Sequence, residues 1–491
     1  MSFSSIIFLF FFLPFAVIGY HLVRSELKNL FLLAVSLLFY AWGEPKLVFL
    51  LLASILVNYL LALRIEPRRE RSSGKAYVIV MLLWNFGVLF YYKYLAFAVV
   101  NINAAFGTSI SIPDIALPLG ISFFTFRAVS YCLDVYWGTS AAQINPINTA
   151  LYISFFPQVA MGPITRYSEF ETQFKGRKVS IDSLSDGVKR IVVGLAKKVI
   201  LADQLGIMVD SIFSTPDAER TVLAAWLGIL GYMFQLYFDF SGYSDMAIGI
   251  GAMFGFQTPE NFQYPYWSKS IVEYWSRWHI TLGTWLKVYL YTPVFRSIYG
   301  KSILGKTVSA QYADYAALIV VWLFAGIWHG AAWHYVAYGL YYCFFIILER
   351  IWDDYQKRKR KRLKLKKQPQ TKGQAALAHL YFFGVIIFGQ LLFRVPGAGA
   401  FLPYVKTMFG LTGAAACTGA DLYTLQSNWV ILLISVICCI PIPVRLKQNS
   451  LTNRWPSVMD MLNPLWHAVL YIVGIAFAIG GTYQAFIYFN F

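Results

Sequence analysis

Two histidines carry the chemical interest of this chain. His329 ends an uncharged aromatic run that reads Val321-Trp-Leu-Phe-Ala-Gly-Ile-Trp-His329-Gly-Ala-Ala-Trp. Counted from Tyr315, the run has most of the length of a membrane span. An imidazole at that depth has given up its water, and titratable groups inside a bilayer are costly enough to mark functional sites. His279 lies about fifty residues upstream, in Trp275-Ser-Arg-Trp-His279-Ile-Thr-Leu. Imidazole changes charge near neutral pH. Two such groups suit acid–base work at or inside a bilayer. Trp322, Trp328 and Trp333 flank His329 and are expected to cage it, and Gly330 leaves room for close approach. His334 is too far round the helix to share that face, and His21, His379 and His467 are given no role. A zinc site needs three or four ligands. The histidines with Asp239 and Asp245 make a poor set, so no metal is expected.

Four segments are candidates to position these groups. On a helical wheel, Lys269 to Tyr291 reads as one amphipathic helix. Trp275, Trp278, Leu282, Trp285, Leu286 and Tyr289 share one face, and Glu273, Arg277, Thr284 and Lys287 share the other. Glu273 and Arg277 are spaced for an ion pair, and His279 falls on the aromatic face. Such a helix suits a membrane interface. Pro118-Leu-Gly-Ile-Ser-Phe-Phe-Thr-Phe126 fits a broken helix. Phe155-Phe-Pro-Gln-Val-Ala-Met-Gly-Pro163-Ile-Thr-Arg166 cannot be one straight helix, because its prolines free backbone groups that then need partners. Tyr237-Phe-Asp239-Phe-Ser-Gly-Tyr243-Ser-Asp245 places two carboxylates beside apolar helices. These last three segments either pack helix against helix through polar groups or line a substrate channel.

Composition sets the class. The chain is 58% hydrophobic and only 13% charged, which a soluble domain of 491 residues cannot bury. Spans are expected near 5–22, 28–42, 46–63, 76–100, 222–238, 313–329, 331–349, 376–394, 429–444 and 463–485. Residues 118–162 and 186–211 are apolar but broken, and are read as short or re-entrant pieces, which survive only inside protein or lining water. The fold class is an all-α polytopic membrane protein with about eleven transmembrane helices. Residues 1–22 lack a basic start and a cleavage site and are read as a retained helix. The whole of 1–491 is one membrane domain: N-terminal helices over 1–100, a catalytic core over 110–345, a basic linker over 351–375 and C-terminal helices over 376–491.

The location of the net charge of +17 matters more than its size. Lys357 to Lys367 form one basic run. Arg64, Arg68, Arg69, Arg71 and Lys75 form another, and Lys175, Arg177, Lys178, Lys189, Arg190, Lys197 and Lys198 a third. The positive-inside rule puts these runs in the cytoplasm and the Lys/Arg-poor stretches 101–117 and 398–428 outside. The runs are expected to contact membrane lipids. Nucleic-acid binding does not fit so apolar a chain. The five cysteines have no metal or disulfide spacing.

Trp-His-Gly at 328–330, Trp-Ser-Arg-Trp-His-Ile at 275–280 and Phe-Asp-Phe-Ser-Gly-Tyr-Ser-Asp at 238–245 resemble the membrane-bound O-acyltransferase (MBOAT) family. The match is best to its bacterial alginate O-acetyltransferase-like branch. It extends from Pro118-Leu-Gly-Ile-Ser-Phe123 through Gly162-Pro-Ile-Thr-Arg166 to the C-terminal Phe-Ile-Tyr-Phe-Asn-Phe. The resemblance implies transmembrane helices around a central tunnel, with re-entrant and interfacial helices. It implies a bacterial inner-membrane enzyme with no permanently bound cofactor and with acetyl-CoA as acyl donor. The acetyl group would pass across the membrane toward hydroxyls of an extracytoplasmic polysaccharide, directly or through an SGNH-type acetyltransferase partner. His329 is then the general base. His279, a Trp indole N–H or a freed backbone N–H is the oxyanion donor. Lys269, Arg277, Lys287 and Arg296, with Trp278, are candidates to hold CoA. Two competing readings are D-alanyl-type transfer from a carrier protein and a non-catalytic transporter or polymer-export subunit. Broken helices with midplane polar groups also mark transporters, but the chain shows no repeated half.

Overall fold

The computed structural model describes residues 1–303, 306–366, 368–442, 456–481 and 483. Lys367 of the basic run, the C-terminal Phe-Ile-Tyr-Phe-Asn-Phe and parts of the spans expected at 429–444 and 463–485 lie outside the described residues. The regular elements among the described residues are helices, apart from a short β-hairpin pairing Ser302–Ile303 with Lys306–Thr307.

The principal helices are α1 (Phe8–Leu22), α2 (Ser25–Gly43), α3 (Val48–Arg68), α4 (Ser72–Phe106) and α5 (Ile121–Tyr136). They continue with α6 (Pro146–Ser154), α7 (Ile181–Ala196), α8 (Asp203–Ser214), α9 (Val222–Met253) and the short α10 (Ile271–Trp275), α11 (Ile280–Leu286) and α12 (Thr292–Ile298). The set closes with α13 (Ala310–His329), α14 (Trp333–Arg362), α15 (Lys372–Arg394), α16 (Ala398–Met408), α17 (Gly419–Cys438) and α18 (Pro456–Gly480). Among the described residues, 8 helices are long and apolar enough to cross a membrane, with α1 shorter. The chain is an all-α, multi-pass membrane protein. Several of these helices start where the sequence supplies a cap. The hydroxyls of Ser180, Thr221, Ser309, Thr371 and Thr418 each accept an N–H three residues on.

Glycines set one close helix contact. Gly187 and Gly194 of α7 lie against Gly249 and Gly242 of α9, and a Cβ on Gly194 would sit 2.5 Å from the Gly242 carbonyl. Close backbone approach of this kind drives helix association where lipid removes the hydrophobic incentive. Ion pairs fill the rest of the seam. Lys198 bonds Asp239 at 2.8 Å and Asp203 at 2.7 Å, with all three buried. Asp245 takes Arg190 at 2.9 Å and Lys197 at 2.6 Å. Of the two readings open for Tyr237–Asp245, polar packing between helices is therefore the one realised.

The basic runs share one end of the bundle. Glu66, at the end of α3, accepts the Ala142 N–H at 3.1 Å. Ser140 meets Glu171 at 2.8 Å, and Asn29 bonds Asn148 and Arg177. Trp137 stacks on Tyr289, two residues from Tyr291, which bonds Asp314 beside Arg350 of α14. The opposite end collects Asn101, bonded to Trp333, and the 410–418 turn, whose Ala415 carbonyl takes the N–H of Val222 at the start of α9. With the basic end in the cytoplasm, exposed Cys417 should react with an impermeant maleimide on intact cells. A cysteine introduced by Ser72→Cys, with Cys417→Ser, should react only after the membrane is opened. Labelling of both from the same side would overturn this orientation.

Candidate active site

The stretch read as one amphipathic helix is a re-entrant hairpin, which corrects the wheel. It enters at the basic end, where the Glu349 carboxylate takes the N–H groups of Ile271 at 2.6 Å and Val272 at 2.9 Å. The Glu273–Arg277 pair forms at 2.8 Å. Trp275 reaches inward to pack on Trp322 and Tyr342, with ring centroids 4.8 and 5.0 Å away. Tyr342 is two helical turns below Glu349, a descent of ~10 Å. The helix then breaks at Ser276–His279 and α11 leads back. Tyr289 bonds Asp134 at 2.8 Å and Tyr291 bonds Asp314, both at the basic end.

The break leaves backbone groups that have no water to satisfy them. Asn261–Gln263 does so as a strand-like partner. Gln263 N–H donates to Arg277 O and Ile280 N–H to Asn261 O, each at 3.0 Å. The buried Asn261 side chain finishes the turn. Its Oδ1 accepts from Thr281 N–H at 3.3 Å and from the Thr281 hydroxyl at 2.9 Å, while its Nδ2 donates to Ser244 at 3.0 Å. Thr281 Oγ1 in turn accepts the Ile164 N–H at 3.1 Å, a backbone group just beyond Pro163. Three of the segments singled out in the sequence thus meet at one asparagine.

That knot fixes His279 at the apex. The residue is 2% exposed, with φ +46°, in the left-handed region. Its Nδ1 lies 3.1 Å from Asn261 Oδ1. An oxygen already accepting from a backbone N–H accepts here too, so Nδ1 carries the hydrogen and Nε2 the lone pair. Nε2 is buried without a hydrogen-bond partner among the described residues.

His329 arrives from the other side, as the last residue of α13. Gly326 and Gly339 let α13 and α14 nearly touch, since a Cβ on Gly326 would lie 2.4 Å from the Tyr335 carbonyl. Gly330 is needed because a Cβ there would meet the Tyr335 ring at 2.2 Å. His329 is 4% exposed, among Trp328, Tyr335, Tyr338 and Phe393. The expected tryptophan cage is corrected in part. Trp328 touches both imidazoles, at 4.8 Å from His329 and 6.0 Å from His279. Trp322 packs on Trp275, and Trp333 is exposed and bonded to Asn101. Phe126 stacks on Trp285 at 4.2 Å and flanks Trp328, so the 118–126 segment forms the wall behind the site.

One cavity of about 510 Å³ joins these parts. Both imidazoles line it, as do Trp275, Trp278, Lys287 and Arg350. Lys287 and Arg350 belong to its basic-end rim, where Arg350 pairs with Asp314. Of the residues proposed to hold CoA, Lys287 and Trp278 line the cavity, whereas Lys269, Arg277 and Arg296 do not. Arg277 is engaged by Glu273, and Arg296 is exposed on α12. Sequence reasoning missed Arg350 and Asn261. Arg350 follows an apolar run and read as its end, and Asn261 sits in a polar loop without periodicity. The indole Nε1 atoms of Trp275 and Trp328 are buried without hydrogen-bond partners among the described residues, so two N–H donors are available. The carboxylates near the hairpin are all engaged in ion pairs or hydrogen bonds, and no metal cluster occurs among the described residues.

Asparagine adopts the left-handed conformation readily. His279→Asn is therefore expected to leave folding and thermal stability unchanged while lowering the acyl transfer that the resemblance implies. Loss of folded protein with full activity in what survives would make His279 a structural residue only.

The membrane-bound O-acyltransferase family model matches residues 140–364, which include both histidines and the cavity rim. The chain is 40% identical over 355 residues to a probable alginate O-acetylase AlgI from Azotobacter vinelandii, covering 71% of this chain and 69% of that one. It is 32% identical to the probable AlgI of Pseudomonas putida KT2440, over all of both chains. It is 31% identical to a peptidoglycan O-acetyltransferase of Helicobacter pylori, over 100% of this chain and 98% of the relative. Similarity over this length makes the chain a member of the membrane-bound O-acyltransferase family and an O-acyltransferase.

Proposed function

We propose that the protein takes acetyl from cytosolic acetyl-CoA and delivers it toward hydroxyls of an extracytoplasmic polysaccharide, directly or through an SGNH-type partner, in a bacterial inner membrane. The observation that carries this reading is the cavity that starts between Lys287 and Arg350 and ends on both imidazoles. Its rim is basic, as the phosphates of CoA require, and its walls are apolar and aromatic, as a short acyl thioester prefers. The relatives named as alginate and peptidoglycan O-acetyltransferases support acetyl as the cargo and a polysaccharide as its destination.

The chemistry follows from the residues. The acceptor hydroxyl attacks the thioester carbonyl as His329 removes its proton, a contribution of ~10²–10⁴-fold. The carbonyl oxygen becomes an oxyanion. The Trp275 indole N–H, on a residue that lines the cavity and without a hydrogen-bond partner among the described residues, is the donor assigned to it, and a single such donor is worth ~10²–10³-fold. His279 presents a lone pair at Nε2, so its part is to accept a hydrogen bond from bound substrate. Collapse of the intermediate breaks the C–S bond, and the imidazolium of His329 returns its proton to the departing sulfur. The new C–O bond forms the ester, and free CoA leaves by the basic rim.

His329→Ala and His329→Gln should both insert and fold, and both should lose transfer from labelled acetyl-CoA in a membrane assay. Glutamine keeps a hydrogen bond but does not titrate. Substantial activity in the Gln variant would mean that His329 orients without abstracting a proton, and wild-type activity in the Ala variant would remove it from the chemistry.

A further inference from the structure

The last carbonyls of a helix have no partner within it. At the His329 end of α13, two neighbouring side chains of α4 take them. Lys93 Nζ donates to the Trp328 carbonyl at 2.5 Å, and the Tyr94 hydroxyl donates to the Ile327 carbonyl at 3.0 Å. Lys93 and Tyr94 end a π-helical turn, Phe90–Tyr94, inside the span. A π turn is wider than an α turn, so adjacent side chains diverge less and both reach one target. Such insertions concentrate at functional sites. Lys93 also lies 5.8 Å from the centroid of the Trp328 ring. Among the described residues no carboxylate pairs with it. Its partners are the negative end of the α13 dipole and aromatic faces.

An ammonium within a span is costly, and capping an ordinary helix end does not need one. This helix end carries His329 as its final residue, followed by an extended Gly330. Trp328, whose carbonyl Lys93 holds, packs against both imidazoles and against Phe123 and Phe126. Without these ties to α4 the last turn keeps the Gly330 N–H to Ile327 carbonyl bond at 3.2 Å but loses its side-chain anchors, and fraying would displace His329 and the ring beside it. We propose that Lys93 is a positioning residue for acyl transfer: with Tyr94 it locks the terminal turn of α13, and so holds His329 and the Trp328 ring in register with His279. The inference rests on the acyl-transfer reading above. Lys93 lies outside the residues that the family model matches.

The test uses membranes of the native host in which each full-length variant replaces the wild type, with labelled acetyl-CoA and the acceptor already present there. Lys93→Met keeps the length of the side chain and removes charge and donor. Its maximal rate per folded molecule should fall by ~10- to 100-fold, the scale of a small misplacement of a catalytic group, while KM for acetyl-CoA stays as in the wild type. Lys93→Arg keeps charge and donor and should regain most of the rate. Tyr94→Phe should show a smaller loss of the same kind. A wild-type maximal rate in Lys93→Met would overturn the proposal. So would a raised KM in place of a lowered rate, or a loss of folded protein at constant specific rate. If Lys93→Met does not fold, Tyr94→Phe decides by the same criteria. Absence of label transfer by the wild type, or full transfer by His329→Gln, would instead remove the acyl-transfer reading on which the inference stands.

Discussion

A chain that turns back inside a bilayer must satisfy its own backbone, because no water is there to do it. In this protein that requirement falls on Asn261. One buried carboxamide takes the Thr281 N–H and hydroxyl, faces His279 Nδ1 and anchors itself to Ser244 of α9. Each buried donor left without an acceptor costs roughly 1–3 kcal/mol, so the turn at Ser276–His279 exists only with this partner in place. The same contacts determine which imidazole nitrogen faces the cavity. One hydrogen-bond knot thus holds both the turn and the imidazole at its apex.

The buried polar groups divide into two sets with different purposes. Along α7, α8 and α9, Lys198, Asp203 and Asp239 satisfy one another, and Asp245 satisfies Arg190 and Lys197. Removing one partner from such a set is strongly destabilising. These charges hold helices together and present nothing to the cavity. Around the cavity the pattern reverses. His279 Nε2, Trp275 Nε1 and Trp328 Nε1 are buried with no hydrogen-bond partner among the described residues. Native structures rarely leave such atoms unused, and of these residues His279 and Trp275 line the cavity, where an incoming thioester and hydroxyl would complete them.

Much of this was legible in the sequence. The membrane class follows from composition, and both histidines from their apolar surroundings. The Glu273–Arg277 pair follows from spacing alone. The continuous helix over Lys269–Tyr291 was not correct, because a wheel carries no term for a break that a distant asparagine stabilises. His279 in a left-handed conformation leaves no mark on apolar periodicity. Trp333 was read into the cage by proximity in sequence, yet the chain leaves the helix at Gly330 and carries it to the surface. Arg350 and Lys93 were invisible for the opposite reason: each looks like an ordinary charge at or in an apolar run until a partner from a distant helix comes into contact with it.

A single cavity leads from the basic end to both imidazoles. A cryo-EM structure of the full chain in lipid nanodiscs with a non-hydrolysable thioether analogue of acetyl-CoA tests it most directly. Phosphate density is expected beside Lys287 and Arg350. The acyl carbonyl oxygen is expected within hydrogen-bond distance, about 3.2 Å or less, of the Trp275 indole nitrogen, with His329 facing the carbonyl carbon. An analogue bound with its phosphates at the opposite end, between Arg220 and Arg394, or a carbonyl remote from both histidines, would contradict it.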